Sequence, residues 1–193
     1  LSQMGDDRAH FHLVLGVADA DSIEDGDWVR LAMADQPDEG MPYAEEFLAG
    51  FHRRHCYDRF FDRRPGGRYK TRHLFSPYGY ALVGNCARAG ENGGDFGAQL
   101  FRDVFAEHGR RHYFQLALIA RFQRSALLTL SDRLARALQP DTEDLARYQQ
   151  AAQAIHHDIL RFTNRYWFET ISEQIQGQEL FDQFRRHLRT DAL

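Results

Sequence analysis

Glu179 and Asp182 stand three residues apart, so a helix through them would put both carboxylates on one face, a candidate site for a hydrated divalent ion such as Mg2+. The competing reading pairs Asp182 with Arg185 or Arg186 at helical spacing. Softer donors gather in His52-Arg53-Arg54-His55-Cys56. On a helix His52 and His55 share a face; on a strand they oppose each other. A zinc site would need further ligands, and His10, His12, His73 and the pair His156-His157 form no recognised ligand spacing. Cys56 beside His55 has the residue types of a nucleophile and its base. Adjacent side chains seldom face each other, however, and no third orienting group stands out. The acidic loop Asp19, Asp21, Glu24, Asp25 and Asp27 lacks the glycine-centred register and closing Glu of an EF-hand. It reads as a solvated turn or a weak divalent site. Gly90 to Gly97 lacks the Lys followed by Ser or Thr of a phosphate loop, so nucleotide binding is not expected. No catalytic constellation emerges, and no cofactor is required.

Composition bounds the scaffold that must carry these residues. With 193 residues, 43% hydrophobic and 27% charged, the chain reads as a cored, soluble protein of one domain or one domain plus an appendage. No apolar run is long enough to span a bilayer, and no signal-peptide pattern opens the sequence. Two cysteines are too few for a disulfide framework, which points to a reducing, cytoplasmic setting. The net charge of −4 is unevenly spread: residues 1–50 hold 12 acids and 2 bases (−10), and residues 51–193 hold 16 acids and 22 bases (+6). All the bases but Lys70 are arginine, yet no dense basic stripe or recognition motif suggests nucleic-acid binding. The chain starts on Leu and stops inside a helical pattern, as a fragment of a longer protein would.

The sequence predicts an α+β protein: a mixed α/β domain over residues 1–94, then a long antiparallel helical hairpin over 95–193. Strands are expected at Phe11–Leu15 and Trp28–Met33, both apolar runs between Asp and Gly clusters. A strand pair is expected at Arg68–Phe75 and Tyr78–Val83, joined by the turn signal Ser76-Pro77. Tyr43–Tyr57 is ambiguous and could begin as helix and end as strand. Ala89–Gly97 reads as a linker, with Asp95 capping the first long helix. Gln139-Pro140-Asp141 ends that helix and caps the next, whose first turn carries Glu143 and Asp144. Leu145, Tyr148, Ala152, Ile155, Ile159, Phe162 and Tyr166 then step by threes and fours into one apolar seam. Continued over residues 142–189, this helix would be roughly 70 Å long, too long for a compact globule of this size. It is therefore expected to project as a rod and to need a partner; the competing reading is a kink or break at Gly177. Phe162–Glu169 is aromatic on several helix faces, which suggests either a subunit interface or cover by residues 1–95.

The segments Phe122–Arg133 (FQRSALLTLSDR), Arg161–Phe168 (RFTNRYWF) and Cys56–Phe61 (CYDRFF) resemble a divergent bacterial branch of the CorA-like divalent-cation transporters. The resemblance covers most of the chain and is best over the helical half. It implies a cytoplasmic α/β domain followed by helices, the last running into the membrane, where five subunits surround a pore. The family's Gly-Met-Asn pore signature and both membrane helices are absent from this sequence. The resemblance thus implies the cytoplasmic regulatory part of a Mg2+ transporter at the bacterial inner membrane. Its partners would be its own subunits, divalent cations, and the membrane only through segments beyond Leu193. It also implies that ions bound between subunits favour the closed state, with Glu179 and Asp182 as the candidates. The alternative is a soluble α+β scaffolding or binding protein that oligomerises through its helical hairpin.

Overall fold

The computed structural model describes residues 10–36, 42–64, 67–86, 96–137 and 145–190, with the side chains of 145–147 excluded. The expected linker from Ala89, the Asp95 cap, the Gln139-Pro140-Asp141 link, Glu143 and Asp144 lie outside these residues. The fold is α+β, with a mixed sheet and its helices followed by a long helical run and further helices. Two compact units are present, residues 1–114 and 115–193.

The first unit is built on four strands, β1 (Phe11–Val17), β2 (Cys56–Phe61), β3 (Lys70–Phe75) and β4 (Gly79–Asn85), in the order β1-β4-β3-β2. β3 and β4 form the expected antiparallel hairpin; the Ser76 hydroxyl accepts from the Tyr78 and Gly79 amides and so holds its turn. β1 runs parallel to β4, from Phe11 opposite Gly79 to Val17 opposite Asn85. β2 pairs antiparallel with β3, and its register shifts between Tyr57 and Phe60. That bulge puts Tyr57 and Phe60 on one face although they are three residues apart.

The expected strand at Trp28–Met33 is instead the end of a helix, α1 (Asp25–Met33). Asp25 and Asp27 occupy its first turn, where the helix dipole favours them, and the buried residues Trp28, Val29 and Ala32 lie on one helical face. The ambiguous stretch resolves as helix, then strand: α2 (Glu45–His55) passes directly into β2. Trp28, Val29, Ala32 and Phe51 form one core with Leu74, Ala81 and Val83 of the sheet. The opposite sheet face is covered by the start of the long helical run. It begins with α3 (Phe96–Leu100) and α4 (Ala106–His108), separated by a π-helical stretch (Phe101–Phe105) and followed by a second one (Gly109–Tyr113). Two glycines allow this contact. The Phe101 ring lies on Gly84, and a Cβ on Gly109 would meet Leu82 at 2.8 Å and Val14 at 2.9 Å. Residues 96–114 therefore belong to the compact unit of the sheet, whereas the sequence expectation divided the chain at residue 94.

The run continues as α5 (Phe114–Ala137), followed by α6 (Leu145–Tyr166) and α7 (Ile175–His187). α5 and α6 are antiparallel: Phe122 meets Tyr166 (ring centres 5.5 Å apart), and further along Arg133 bonds Asp158 at 2.7 Å. The expected rod over 142–189 is not continuous, since residues 167–174 are not helical. Gly177 is not where it breaks. It lies inside α7, where a Cβ would meet the Ser172 hydroxyl at 2.8 Å. The break has a tertiary cause. The buried Gln123 carboxamide donates to the carbonyls of Tyr166 (3.1 Å) and Phe168 (3.4 Å), satisfying oxygens that a helix end leaves open. Ser172 Oγ then accepts from the Gln174 amide and shapes the entry to α7. The Arg185 guanidinium lies 5.0 Å from the Trp167 ring centre, and Arg124 donates to the Leu188 carbonyl, so α7 folds back onto its own unit.

Candidate functional site

The helix-to-strand junction at His55-Cys56 assembles the densest chemistry of the first unit. His52 sits one helical turn before Cys56, and their Nδ1 and Sγ atoms are 3.6 Å apart. The other ring nitrogen, Nε2, is 2.8 Å from Asp25 Oδ1 at the start of α1. A carboxylate accepts, so Nε2 carries the proton, and Nδ1 is left to accept from the Cys56 thiol. Carboxylate, imidazole and thiol thus stand in one line. The electrostatics oppose a nucleophile. Burial pushes the Cys56 thiol up to about 12, against the opposing pull of Arg72. Burial also lowers His52, reinforced by Arg63 and Arg72 and opposed by Asp25. Both groups are therefore neutral near pH 7, and the line acts as a hydrogen-bonded clamp between α1, α2 and β2. His55 does not join it: its Nδ1 donates to the Phe75 carbonyl at 2.8 Å.

The acidic loop is tied down in the same way. Asp21 bonds the buried Lys70 ammonium at 2.5 Å, Asp25 holds His52, and Asp27 bonds Arg30 at 3.0 Å. Lys70 also donates to the carbonyls of Asp62 (2.6 Å) and Arg64 (2.9 Å). Beside it Arg72, 1% exposed, grips Asp58 through Nε (2.9 Å) and Nη2 (3.1 Å). Its guanidinium lies 3.9 Å from the Phe61 ring centre and 4.6 Å from that of Trp28. On the opposite sheet face His73 is fully buried, with Nδ1 2.8 Å from the Tyr80 hydroxyl and, among the described residues, no hydrogen-bond partner for Nε2. Burial drives its pKa down to about 3.

In the second unit Glu179 and Asp182 both lie on α7, as the spacing predicted. Asp182 is exposed and Glu179 half-buried; Asp182 Oδ1 receives a long contact from Gln178 Nε2 at 3.5 Å. Among the described residues no group of three His, Cys, Asp or Glu side chains converges to hold a metal ion. The pair has the right donors for a hard cation, but one chain contributes two oxygen ligands to an ion that takes six. A groove of about 330 Å³ opens between α5 and α6, lined by Leu127, Leu130, Leu134, Ile159, Phe162 and Trp167 among others. Elsewhere in this unit Leu118, Phe122, Leu160, Tyr166, Phe168 and Ile175 leave large parts of their side chains exposed.

No family model, no curated protein and no solved structure matches this chain. The resemblance to CorA-like transporters thus receives no support from these comparisons. Of the three segments that carry it, two meet in space: Phe122 and Gln123 from the first touch Phe162, Tyr166 and Phe168 from the second. Within the third, Asp58 is the partner of Arg72. Among the described residues no helix is long and apolar enough to cross a membrane.

Sequence reasoning considered His55 with Cys56, whereas the structure brings His52 to the thiol. The four-residue spacing on a helix that ends at Cys56 was the available signal. Asp25, 27 residues before His52, had no local signal to mark it. His10 bonds the Tyr78 carbonyl at 2.9 Å, His12 bonds that of Gly109 at 2.8 Å, and His156 and His157 are exposed neighbours on α6.

Proposed function

We propose that the chain is the cytoplasmic regulatory part of a CorA-like divalent-cation transporter that assembles with copies of itself through its helical unit. The observation that carries this reading is the apolar groove between α5 and α6, together with the large apolar side chains that the same unit leaves exposed. An apolar groove open to solvent on a folded unit suits an association surface. The sequence resemblance supplies the transporter class, and Glu179 with Asp182 supplies oxygen donors on an accessible helix.

The proposed mechanism is electrostatic. Each copy would bring the two carboxylates of α7 to a subunit boundary, where they repel those of its neighbour. A hydrated Mg2+ shared across that boundary supplies the compensating charge when bound. Glu179 and Asp182 then hold the subunits together, and the cation's differential affinity for the assembled state sets the equilibrium. The apolar groove provides association that does not depend on the ion.

The test is the complete product of the gene, read past the codon for Leu193. Two downstream apolar segments of about 20 residues are expected. The full protein should restore growth of a bacterium that lacks its own Mg2+ uptake. A membrane-inserted product that moves no divalent cation, or a downstream reading frame without such segments, overturns the proposal. The apolar surface then favours the second reading, a scaffolding protein that oligomerises through the helical hairpin.

A further inference from the structure

We propose that His108 and His112 form a two-point chelate for a borderline transition-metal dication such as Zn2+, Ni2+ or Cu2+. The histidines stand four residues apart, the spacing at which two imidazoles on one helix face can share a metal. Their ring centres are 5.1 Å apart and their planes are inclined at 83°. With metal–nitrogen bonds of about 2.0–2.1 Å and tetrahedral coordination, two ring centres around a shared ion sit roughly 5 Å apart. The rings therefore already have the separation that chelation requires.

Further observations fit. Among the described residues neither imidazole has a hydrogen bond or ion pair; their recorded contacts are with each other and, for His108, with the Tyr113 ring at 5.9 Å. The backbone beneath the pair is anchored. Gly109 packs on Leu82 and Val14, and its carbonyl accepts from His12 Nε2, which fixes the π-helical turn between the two histidines. The flanking arginines do not leave a bare positive field, because Glu107 pairs with Arg110 at 3.2 Å and Arg111 at 3.7 Å. His112 is exposed and His108 half-buried, so an ion approaches from solvent with water completing its shell.

The donor set decides the metal. Imidazole nitrogen suits Zn2+, Ni2+ and Cu2+, whereas Mg2+ keeps to oxygen. This site is independent of the carboxylates on α7 and of the transporter reading.

The test uses the untagged chain and calorimetric titration with NiCl2 at pH 7.5, with MgCl2 as the contrast. One Ni2+ should bind per chain and Mg2+ should not compete. His108→Gln and His112→Gln should each weaken binding by at least the roughly 10–100-fold that loss of a mere outer-shell partner costs. His157→Gln should leave it unchanged. On Cu2+ loading, electron paramagnetic resonance should register two imidazole nitrogens in the wild type and one in His112→Gln. Because protons compete for the same lone pairs, affinity should fall as the pH is lowered to 5.5. Unaltered Ni2+ binding in both single variants, or no binding by the folded wild type, overturns the proposal.

Discussion

His52, Lys70, Arg72 and His73 are all buried within residues 1–114, whereas the buried polar side chains described in residues 115–193 are Gln123 and Thr190. The exposed large apolar side chains show the reverse bias. Phe47, Phe96 and Phe114 belong to the first unit, and the other nine, from Leu118 to Ile175, belong to the second. The first unit pairs three of these four groups with its own carboxylates: Arg72 has Asp58, Lys70 has Asp21, and His52 has Asp25. The second unit leaves more of its large apolar side chains exposed. The contrast is between a charge-paired body and an apolar helical unit, and the proposed assembly rests on the second.

The largest expected effect tests the charge-paired body. Asp58→Ala leaves the Arg72 charge buried and without its carboxylate, at a cost of about 3–5 kcal/mol. Arg72→Met, which removes the charge itself, should cost less. Urea unfolding followed through Trp28 in a Trp167→Phe background reports on this unit alone, since the chain has two tryptophans. If Arg72→Met proves as damaging as Asp58→Ala, then packing between Trp28 and Phe61, and not charge, holds the cluster.

The next effect is pH-dependent. In the folded chain His73 takes up a proton only near pH 3, against 6.5 for the unconstrained group. The unfolded chain thus binds more protons between these values, and stability rises with pH across that window. It is complete above 6.5 and is lost progressively as the pH falls towards 3, by a few kcal/mol. His73→Phe should flatten this acid limb. His52 and His55, also lowered by burial, should leave a residual slope near pH 6. An unchanged acid limb in His73→Phe would show that the imidazole is hydrated in solution.

The contrast between the units also explains what could be read from the sequence. β1 and the β3–β4 hairpin were legible because an apolar run between Asp and Gly clusters and the turn residues Ser76-Pro77 mark them locally, whereas the α2-to-β2 switch was one of the readings that Tyr43–Tyr57 left open. The run Trp28–Met33 misled because a short apolar stretch suits a strand as well as a helix face. Asp25 and Asp27 mark it as a helix once they are placed in its first turn. The end of α6 was not legible at all. It depends on Gln123, 43 residues before Tyr166, with no glycine or proline at the break. Of the polar site, the His52–Cys56 spacing was visible, but its carboxylate comes from a different helix.

A smaller effect probes that break. Gln123→Leu removes two hydrogen bonds from the end of α6 and leaves the Tyr166 and Phe168 carbonyls without that donor. Destabilisation of about 1–3 kcal/mol is expected, read by Trp167 fluorescence in a Trp28→Phe background. If Gln123→Leu instead raises stability together with helix content, residues 167–174 are held out of the helix against their own preference.

The smallest effect on stability bears most directly on the apolar helical unit. Leu160 is 48% exposed and Leu134, which lines the groove, is 40% exposed. Exchanging either for Glu should change the unfolding free energy by no more than about 0.5 kcal/mol, because little buried contact is lost. The same charges placed in an apolar contact between two copies would be desolvated without a partner, at a cost of several kcal/mol. Sedimentation velocity should therefore find concentration-dependent association in the wild type and its loss in both variants, with unfolding curves that superimpose. Association that survives Leu134→Glu and Leu160→Glu would move the interface off the α5–α6 face. A wild type that stays monomeric at high concentration would overturn self-association through the groove.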